Sequence, residues 1–439
     1  MIVLRRQAKK EWNMIRLVIT GIATLAAMAL WAAALFIGTS EGWWHRPMTS
    51  SAAPADFVQA ARTKIETGHR GNLGFALIEN GKPVENFSWS TGSPVDENSV
   101  YQVASLGKWI TAWGVMALVE DGLVDLDAPV ENYLERWTLP ESKFDHEQVT
   151  VRRLLSHTAG LDDGLGYNGF ATPDAVQTLE DSLTRAADAS PGKSGVVRVG
   201  ETPGAAWNYS GGGYTLLQLM VEEVSGLSFP EYMEQRIFTP LGMTRTTFDH
   251  RKAQAMGLAE NFTLDGDTEP FRWYTALAAT SLFTTPADMT TFALAQLPGS
   301  QQKVLSQNIL ATMATPHASS LGADIWGLGP MLLAPDNKGG FIIGHDGKNE
   351  PAINSAVRVD PASGDGIVIL ETGSPILATT IASEWVFWKT GNVDNLAFAA
   401  RMDGMFTWIL FGCIAILIVG LLVGWRQMRR LSRKRRQSA

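Results

Sequence analysis

The sequence predicts an α+β domain held between two apolar helices, and three observations lead to this prediction. Strand-like segments occur at both ends of the central region, at 73–90 and 326–373. The stretch between them is dominated by apolar runs of helical length. Two long, charge-free runs, 17–38 and 405–425, lie outside this region. A sheet built from both ends of the central region, with helices packed on it, accounts for this order.

Both outer runs are long enough to cross a membrane. At a helical rise of 1.5 Å per residue, each can span a hydrocarbon layer of about 30 Å. Basic residues flank the runs on the sides that face the chain ends, with net charges of +4 over 1–16 and +7 over 425–439. The positive-inside rule therefore predicts that both termini lie in the cytoplasm and that the region between the runs lies on the far side.

These runs divide the chain into seven segments and predict a two-pass protein of the cytoplasmic (inner) membrane, with its domain in the periplasm or cell exterior. A cleaved signal peptide is the alternative for the first run, which is longer than the usual apolar part of such peptides. The segments are a basic cytoplasmic tail (1–16), a transmembrane helix (17–38), a linker (39–56), a globular domain (57–392), a second linker (393–404), a second transmembrane helix (405–425) and a second basic cytoplasmic tail (426–439).

Composition excludes several kinds of site. The chain carries −8 overall, so the region between its basic ends carries −19, and such an acidic surface disfavours nucleic acid. Because the arginines after the second run directly follow a predicted span, we interpret them as residues that set its orientation and not as a nucleic-acid-binding patch. They can also contact anionic lipid. A single cysteine, Cys413, excludes an intrachain disulfide and a cysteine-based metal cluster. The seven histidines lack ligand spacing, so we expect neither metal nor cofactor.

The central region begins with a predicted hairpin, because two extended runs flank Asn80-Gly81, a pair typical of type I′ turns. The run WITAWGVMALVE, 109–120, is apolar on nearly every face and predicts a buried helix that ends at Asp121-Gly122. Further helices are predicted at 215–226 and 228–238, and further strands at 326–334, 339–347, 355–360 and 367–373.

A serine and a lysine stand at the head of the buried helix. The spacing of Ser105 and Lys108 puts both side chains on one helical face, one turn apart. Apolar surroundings and the positive helix N-terminus would lower the pKa of the lysine from about 10.4, so that it can accept a proton. A serine hydroxyl needs such a base to act as a nucleophile. A serine N-cap followed by a lysine that reaches solvent is the alternative interpretation.

The S-x-x-K spacing is a weak signal by itself, because it occurs three times in this chain. Ser190 and Lys193 enclose a Pro-Gly pair that blocks a helical turn, and Ser300 and Lys303 follow Leu-Pro-Gly in a polar stretch. We interpret both as solvated loops. Only the instance at Ser105 precedes an apolar helix.

Two glycine-rich stretches add titratable side chains. In WNYSGGGY, Tyr209 precedes a helix, and three successive glycines allow backbone or ligand to approach closely. A tyrosine there can act as a general base or a proton shuttle, although an ordinary buried tyrosine also fits. In GHDGKN, His345 offers a cation or a donor at a strand end, and Gly347 lets a substrate lie against the strand. A simple strand-end turn is the alternative.

Taken together and in this order, these stretches resemble the serine β-lactamase and penicillin-binding protein superfamily. The resemblance is greatest to its class C-like branch, which includes D-alanyl-D-alanine carboxypeptidases, D-aminopeptidases and esterases. It covers about 57–390 and includes the phrases VRRLLSHTAGL, PLGMTRTTF and AATSLFTTPADMTTF. The resemblance implies a β-lactamase/transpeptidase-like fold, with an antiparallel sheet flanked by helices and a helical subdomain.

The resemblance also implies roles for particular residues. Ser105 would be the acylated nucleophile, Lys108 its base and Tyr209 the second acid/base. The backbone N–H groups of Ser105 and Lys348 would form an oxyanion hole, in which each donor is typically worth a few kcal/mol. His345 would belong to the element that is written K-T-G in many members and H-x-G in others.

One position departs from the family pattern. The family's Y-x-N element has an asparagine where this chain has Gly211, and that asparagine helps to bind the amide of β-lactam or peptide substrates. The departure weakens the case for a β-lactamase and leaves esters open. Asn349 and Asn354 are candidate replacements for the missing contact. His157 lies in a family phrase, and we expect it to hold a loop.

These observations predict a membrane-anchored serine hydrolase that acts on an ester or amide through an acyl-enzyme on Ser105. The expected substrate is a small ester, a peptidoglycan stem peptide or a lipid-linked ester, and the sequence indicates no particular protein partner. A D-alanyl carboxypeptidase, an aminopeptidase or a β-lactamase is the alternative among enzymes. If the protein does not turn over substrate, the alternative is a penicillin-recognising sensor or a scaffold that binds cell-wall fragments.

Overall fold

The computed structural model describes residues 2–164 and 166–436, and it divides the chain into two compact units. One unit is the domain from Pro47 to Asn395. The other consists of the two terminal segments, which reach to Arg46 and begin again at Leu396. The sequence-predicted domain, 57–392, lies inside the first unit.

The described residues form a hairpin, a long helical middle and a second group of strands, in the predicted order. The helices are α1 (Ile2–Ser40), α2 (Pro54–Glu66), α3 (Gly107–Glu120), α4 (Val151–Leu155), α5 (Leu179–Arg185), α6 (Gly211–Ser225), α7 (Phe229–Met233), α8 (Thr239–Leu241), α9 (His250–Met256), α10 (Leu277–Thr280), α11 (Pro286–Ala295), α12 (Gln307–Met313), α13 (Leu377–Thr390) and α14 (Asn395–Arg436). The strands are β1 (Asn72–Glu79), β2 (Lys82–Ser90), β3 (Tyr101–Gln102), β4 (Phe283–Thr284), β5 (Ala318–Ser320), β6 (Ala323–Trp326), β7 (Met331–Pro335), β8 (Phe341–Asn349), β9 (Ile353–Asp360) and β10 (Asp365–Thr372).

The main sheet joins both ends of the domain, as the sequence predicts. Its eight strands are ordered β2-β1-β10-β9-β8-β7-β6-β5, and each neighbouring pair is antiparallel. The hairpin β1–β2 turns at Asn80 and Gly81, which both have positive φ, as a type I′ turn requires. Strand β1 then pairs with β10 in a register that puts Asn72 opposite Thr372. The predicted α+β fold is confirmed.

Helices cover both faces of this sheet. On one face α2 and α13 pack against alternate residues of β1, such as Phe75 and Leu77, with Trp385 at the centre of this cluster. On the other face the intervening residues, such as Ala76 and Ile78, join the larger cluster that contains α3 to α7 and α10 to α12. Because β1 is buried on both sides, its sequence is a nearly continuous apolar run.

The central helix of the larger cluster is α3, which confirms the predicted buried helix. Its residues from Gly107 to Leu118 are all buried. The helix ends at Glu120, and Gly122, with a φ of 71°, lies just after the C-cap, where a left-handed residue commonly ends a helix. Trp109 packs edge-on against Phe292 of α11, with 5.1 Å between ring centroids. The first turn of α3 therefore has a fixed place in the core, and the residues just before it are fixed too.

The terminal unit is a pair of antiparallel helices. Trp31 Nε1 in α1 donates a hydrogen bond to the carbonyl oxygen of Trp408 in α14, at 3.1 Å. Eleven residues earlier in α1, the Thr20 hydroxyl accepts one from Gln427 Nε2, at 3.0 Å. The two helices therefore run in opposite directions. The two helix ends that lead to the chain termini consequently lie side by side.

The two predicted spans lie inside α1 and α14. The second predicted linker, 393–404, differs from the structure, because α14 is helical from Asn395 onward without a break. Its sequence, NLAFAARMDG, is rich in strong helix formers and lacks proline, so the helix extends back from the apolar run. The stretches that are long and apolar enough to cross a membrane are Met14–Ser40 and Asn395–Arg430.

Candidate active site

Ser105 lies on a 3-10 turn, Ala104–Leu106, between β3 and α3. Ala104 has a φ of 48°, in the left-handed region that non-glycine residues rarely adopt. Val103 is held from two sides, because its N–H donates to the carbonyl of Leu282 at 2.9 Å and its own carbonyl accepts from Ser355 Oγ at 2.8 Å. Ala104 is buried whereas Ser105 is half-buried. The fixed turn therefore presents the Ser105 hydroxyl at an accessible position.

Lys108 lies one turn further on, in the first turn of α3. Its Nζ donates hydrogen bonds to Ser105 Oγ at 3.1 Å and to the carbonyl of Ala279 at 2.6 Å. The side chain is buried, and this burial lowers the pKa of Lys108 to about 7, while the charge of Asp163 opposes the shift. The lysine is therefore within reach of the serine and loses its proton near neutral pH, which a general base requires.

Tyr209 reaches the same place from the loop before α6. Its ring centroid lies 5.0 Å from Lys108 Nζ. Burial raises the pKa of Tyr209, and its hydrogen bond with Ser105 opposes this rise. The phenol is therefore protonated at neutral pH, so Tyr209 is a proton donor or shuttle and not the phenolate base that the sequence left open. Ser105, Lys108 and Tyr209, predicted separately, lie together.

The third predicted element is on β8, which passes directly behind the serine turn. A Cβ atom added at Gly347 would lie 1.9 Å from the carbonyl oxygen of Val103 and 2.4 Å from Ser355 Oγ. A side chain therefore cannot fit at this position. The glycine lets β8 lie against the backbone that carries Ser105. A residue without a side chain is therefore required here by the protein's own packing, in addition to any need to admit substrate.

His345 on β8 is fully buried and neutral. Its Nδ1 lies 2.7 Å from the carbonyl oxygen of Asp346, and because a carbonyl only accepts, Nδ1 carries the proton. Its Nε2 then carries a lone pair and no proton, and this atom has no hydrogen-bond partner among the described residues. Burial, together with the charge of Lys108, lowers the pKa of His345 to about 3. The expectation of a cation or donor is therefore wrong for Nε2, which is an acceptor.

An ion network supports β8 from the opposite side. The buried Arg358 on β9 pairs with Asp346, and its Nε donates to Asp394 Oδ2 at 3.0 Å. The Thr379 hydroxyl donates to Asp346 Oδ2 at 2.5 Å. This network links the strand that carries His345 to the residue just before α14.

The other predicted residues on β8 and β9 are engaged within the protein. The Lys348 side chain is exposed, on the strand face opposite to that of His345 and Gly347, so only its backbone can serve the site. Asn349 Nδ2 donates to the Tyr274 hydroxyl at 2.8 Å, and Asn354 Nδ2 donates to the carbonyl of Gly347 at 3.1 Å. These contacts occupy both asparagines, and they disfavour the expectation that either replaces the missing contact at Gly211.

Comparison with known proteins agrees with this arrangement. The sequence model of the Beta-lactamase family matches residues 57–379. Penicillin-binding protein 4 of Amycolatopsis lactamdurans is 30% identical over 299 residues, which cover 64% of this chain and 74% of that protein. The chain belongs to the Beta-lactamase family. Membership confirms the resemblance to the serine β-lactamase and penicillin-binding protein superfamily.

Two further relatives of this Beta-lactamase family member show how far the likeness extends. Penicillin-binding protein 4* of Bacillus subtilis is 35% identical over 164 residues, but the chain spans only 33% of its length. The octameric penicillin-binding protein homologue from Pyrococcus abyssi has a TM-score of 0.64 at 24% identity, and the match covers 77% of this chain and 78% of that one. The latter likeness supports the fold.

Gly211 remains the departure from the pattern of the Beta-lactamase family. It is the first residue of α6 and is buried, and it has no side chain to offer a substrate. Asn208, on the other side of Tyr209, turns away, because its Nδ2 donates to the carbonyl of Leu161 at 2.8 Å. Neither neighbour of Tyr209 along the loop therefore replaces the family asparagine.

Two groups near Lys108 were not predicted from the sequence. Asp163 is buried, accepts a hydrogen bond from the N–H of Gly212 at 2.8 Å and is the charge that opposes the lowered pKa of Lys108. The carbonyl of Ala279 binds Lys108 directly. The residues LDDG around Asp163 are typical of an ordinary loop, and no sequence pattern identifies a particular backbone carbonyl. The contacts of Asp163 and of the Ala279 carbonyl with Lys108 are therefore visible only in the folded structure.

The described residues contain no group of three or more histidine, cysteine, aspartate or glutamate side chains that could hold a metal ion. The buried carboxylates near β8 already have partners, since Asp346 and Asp394 pair with Arg358. The side chains that form hydrogen bonds with Ser105 are those of Lys108 and Tyr209. Their chemistry is proton transfer at a hydroxyl group.

Proposed function

We propose that this chain is an extracytoplasmic serine hydrolase that cleaves an ester or amide bond through an acyl-enzyme on Ser105. The observation that carries the proposal is the 3.1 Å approach of Lys108 Nζ to Ser105 Oγ, together with the pKa of about 7 that burial gives this lysine. Membership of the Beta-lactamase family supports the class of reaction.

Acylation begins when Ser105 Oγ attacks the substrate carbonyl carbon and transfers its proton to the neutral Lys108. The negative charge that develops on the carbonyl oxygen would be stabilised by the backbone N–H groups of Ser105 and Lys348. The bond from carbon to the leaving oxygen or nitrogen then breaks. Tyr209, whose phenol is protonated at neutral pH, is suited to pass a proton to that leaving group, and Lys108 replaces it.

Deacylation repeats these steps with water. A water molecule attacks the acyl carbon and gives a proton to Lys108, which is neutral again after acylation, and the carbon–oxygen bond to Ser105 breaks. Ser105 Oγ regains a proton, so the products are a carboxylic acid and the free enzyme. One water is consumed for each alcohol or amine released.

The polar groups of the site support an uncharged ester as the preferred substrate. His345 is neutral, so it does not attract the carboxylate that penicillins and cephalosporins carry. Gly211, Asn349 and Asn354 offer no free side-chain amide to hold an amide group of the substrate. An activated ester depends less on either contact, because its leaving group departs readily.

We predict that short-chain p-nitrophenyl esters are hydrolysed with a higher kcat/KM than penicillins or cephalosporins. A buried amide left without a partner costs about 1–3 kcal/mol, which is roughly a tenfold to hundredfold loss for the β-lactams. The measurement is steady-state hydrolysis of both substrate types by the full-length chain in detergent. The Ser105→Ala variant is the control and should lose both activities.

Three results would contradict this prediction or the proposal on which it depends. Efficient cephalosporin hydrolysis with poor esterase activity would show that another group replaces the missing asparagine. A single burst of product in a molar amount equal to that of the enzyme, with no turnover afterwards, would favour the sensor hypothesis over the hydrolase. Ester hydrolysis that survives Ser105→Ala would show that Ser105 is not the nucleophile.

We also propose that α1 and α14 both cross the membrane, with the two termini in the cytoplasm and the domain outside. The antiparallel pairing of the helices supports this, because it puts both basic tails at one end of the pair. Reporter fusions should indicate export after Ala60 and cytoplasm after Arg430. An exported reporter after Arg430 would contradict the two-pass topology, whereas cleavage of the chain near Ser40 would indicate a signal peptide.

A further inference from the structure

His157 has an unusual backbone conformation next to the candidate active site. It follows α4, is buried and has a φ of 58°, in the left-handed region. This conformation costs a non-glycine residue free energy, so the surroundings must hold it in place. The left-handed turn brings the carbonyl group and the ring of His157 to the same neighbouring loop, which carries Tyr209.

Both chain neighbours of Tyr209 bind this one residue. The N–H of Asn208 donates to the carbonyl oxygen of His157 at 2.8 Å, and the N–H of Ser210 donates to its ring Nδ1 at 3.1 Å. The rings of His157 and Tyr209 are themselves in contact, with 4.4 Å between their centroids. The backbone on each side of Tyr209, and the aromatic ring between, therefore rest on His157.

This arrangement also determines the form of the imidazole. A backbone N–H only donates, so Nδ1 of His157 must be an unprotonated acceptor, and the ring proton is on Nε2. Burial lowers the pKa of His157 well below its usual value, and the charge of Lys108 adds to this effect. The ring is therefore neutral, with its acceptor directed at the loop of Tyr209.

We propose that His157 is the positioning residue that sets the distance between the Tyr209 hydroxyl and Ser105. This inference rests on the proposed function, because it assigns Tyr209 a proton-transfer role there. His157 does not touch the reacting atoms. It acts through the backbone of Asn208 and Ser210, and loss of its Nδ1 acceptor releases one side of the Tyr209 loop.

The test uses three variants of the full-length chain in detergent. His157→Ala removes the acceptor and disfavours the positive φ, and we expect kcat for an ester to fall about 100-fold, as a displacement of about 1 Å in a catalytic group typically costs. His157→Asn tolerates positive φ and puts an oxygen near the position of Nδ1, so it should recover most of this loss. His157→Gln puts its oxygen further out, near Nε2, and should not.

Matched controls separate positioning from a general loss of stability. His250→Ala removes another buried imidazole, which stacks on Trp273 with 3.9 Å between centroids, and it should leave kcat near the wild-type value. The thermal unfolding midpoints of the asparagine and glutamine variants should be similar, although their kcat values differ. Equal kcat in these two variants would overturn the proposal.

A second measurement needs no substitution. Nitrogen chemical shifts of the histidines in the wild-type chain should show that His157 carries its proton on Nε2, and a proton on Nδ1 would overturn the proposal. Wild-type protein that neither turns over esters nor is labelled at Ser105 by a fluorophosphonate would overturn the proposed function and this inference with it. Labelling of wild type and His157→Ala at equal rates would overturn this inference alone.

Discussion

Replacing Lys108 by arginine is expected to lower kcat/KM for ester hydrolysis by a factor of about 10² to 10⁴, the range that a positioned base contributes. An arginine guanidinium stays protonated in proteins, so it cannot accept the proton of Ser105. The pKa of Lys108 is about 7 because the side chain is buried. The wild-type kcat/KM should therefore rise with pH through about 7 and then level off, and this rise should disappear in the variant.

The check is a pH–rate profile from mildly acidic to mildly alkaline solution. Lys303→Arg is a matched control, because Lys303 is also the lysine of an S-x-x-K sequence but is exposed in a loop, as predicted. It should retain the wild-type profile. If Lys108→Arg kept both the rate and the rise near pH 7, another group would be the base. Circular dichroism would establish that the variant is folded.

Replacing Arg358 by leucine is expected to lower the free energy of unfolding of the domain by about 3–5 kcal/mol. Burial disfavours the charge of this guanidinium, but Asp346 and Asp394 more than offset this and raise the pKa of Arg358 above its usual value. Removal of the guanidinium leaves the carboxylates of Asp346 and Asp394 without the cation that they share. The full-length variant in detergent should therefore unfold at a markedly lower urea concentration and temperature than the wild type.

The matched control is Arg236→Leu. Arg236 pairs with Asp121 in good geometry, with 2.9 Å between Nη2 and Oδ1, but both side chains are partly exposed to solvent. Exposed pairs of this kind contribute about 0–1 kcal/mol, so the midpoint should change little. Equal losses in the two variants would mean that the buried network has no special role in the stability of the domain.

The features that the sequence predicts correctly are those set by neighbouring residues. The hairpin at Asn80-Gly81 follows from a turn that only a few residue pairs adopt readily. The buried helix α3 follows from an apolar run without a polar face. The approach of Lys108 to Ser105 follows from the geometry of one helical turn, once that run has fixed the helix.

The features that the sequence does not predict depend on distant segments. His345 is neutral because the fold buries it, with the ring of Trp326 at 5.4 Å between centroids, and the stretch GHDGKN does not predict that burial. Asp163 approaches Lys108 only because the loop after α4 lies near the start of α3 in the folded domain. The predicted linker at 393–404 is instead helical from Asn395 onward, because the long apolar helix that follows extends back through it.

The pairing of β1 with β10 has a consequence for the synthesis of this chain. These strands are far apart in the sequence, since Asn72 and Thr372, which bond across the pair, are separated by 300 residues. At a translation rate of about 5–20 residues per second, the hairpin β1–β2 waits at least about 15 seconds with one edge unpaired. During that interval Ser105 and Lys108 already exist, but β8 does not. The candidate site is therefore incomplete until β8 is made, and the edge of β1 stays free to pair with other chains until β10 is made.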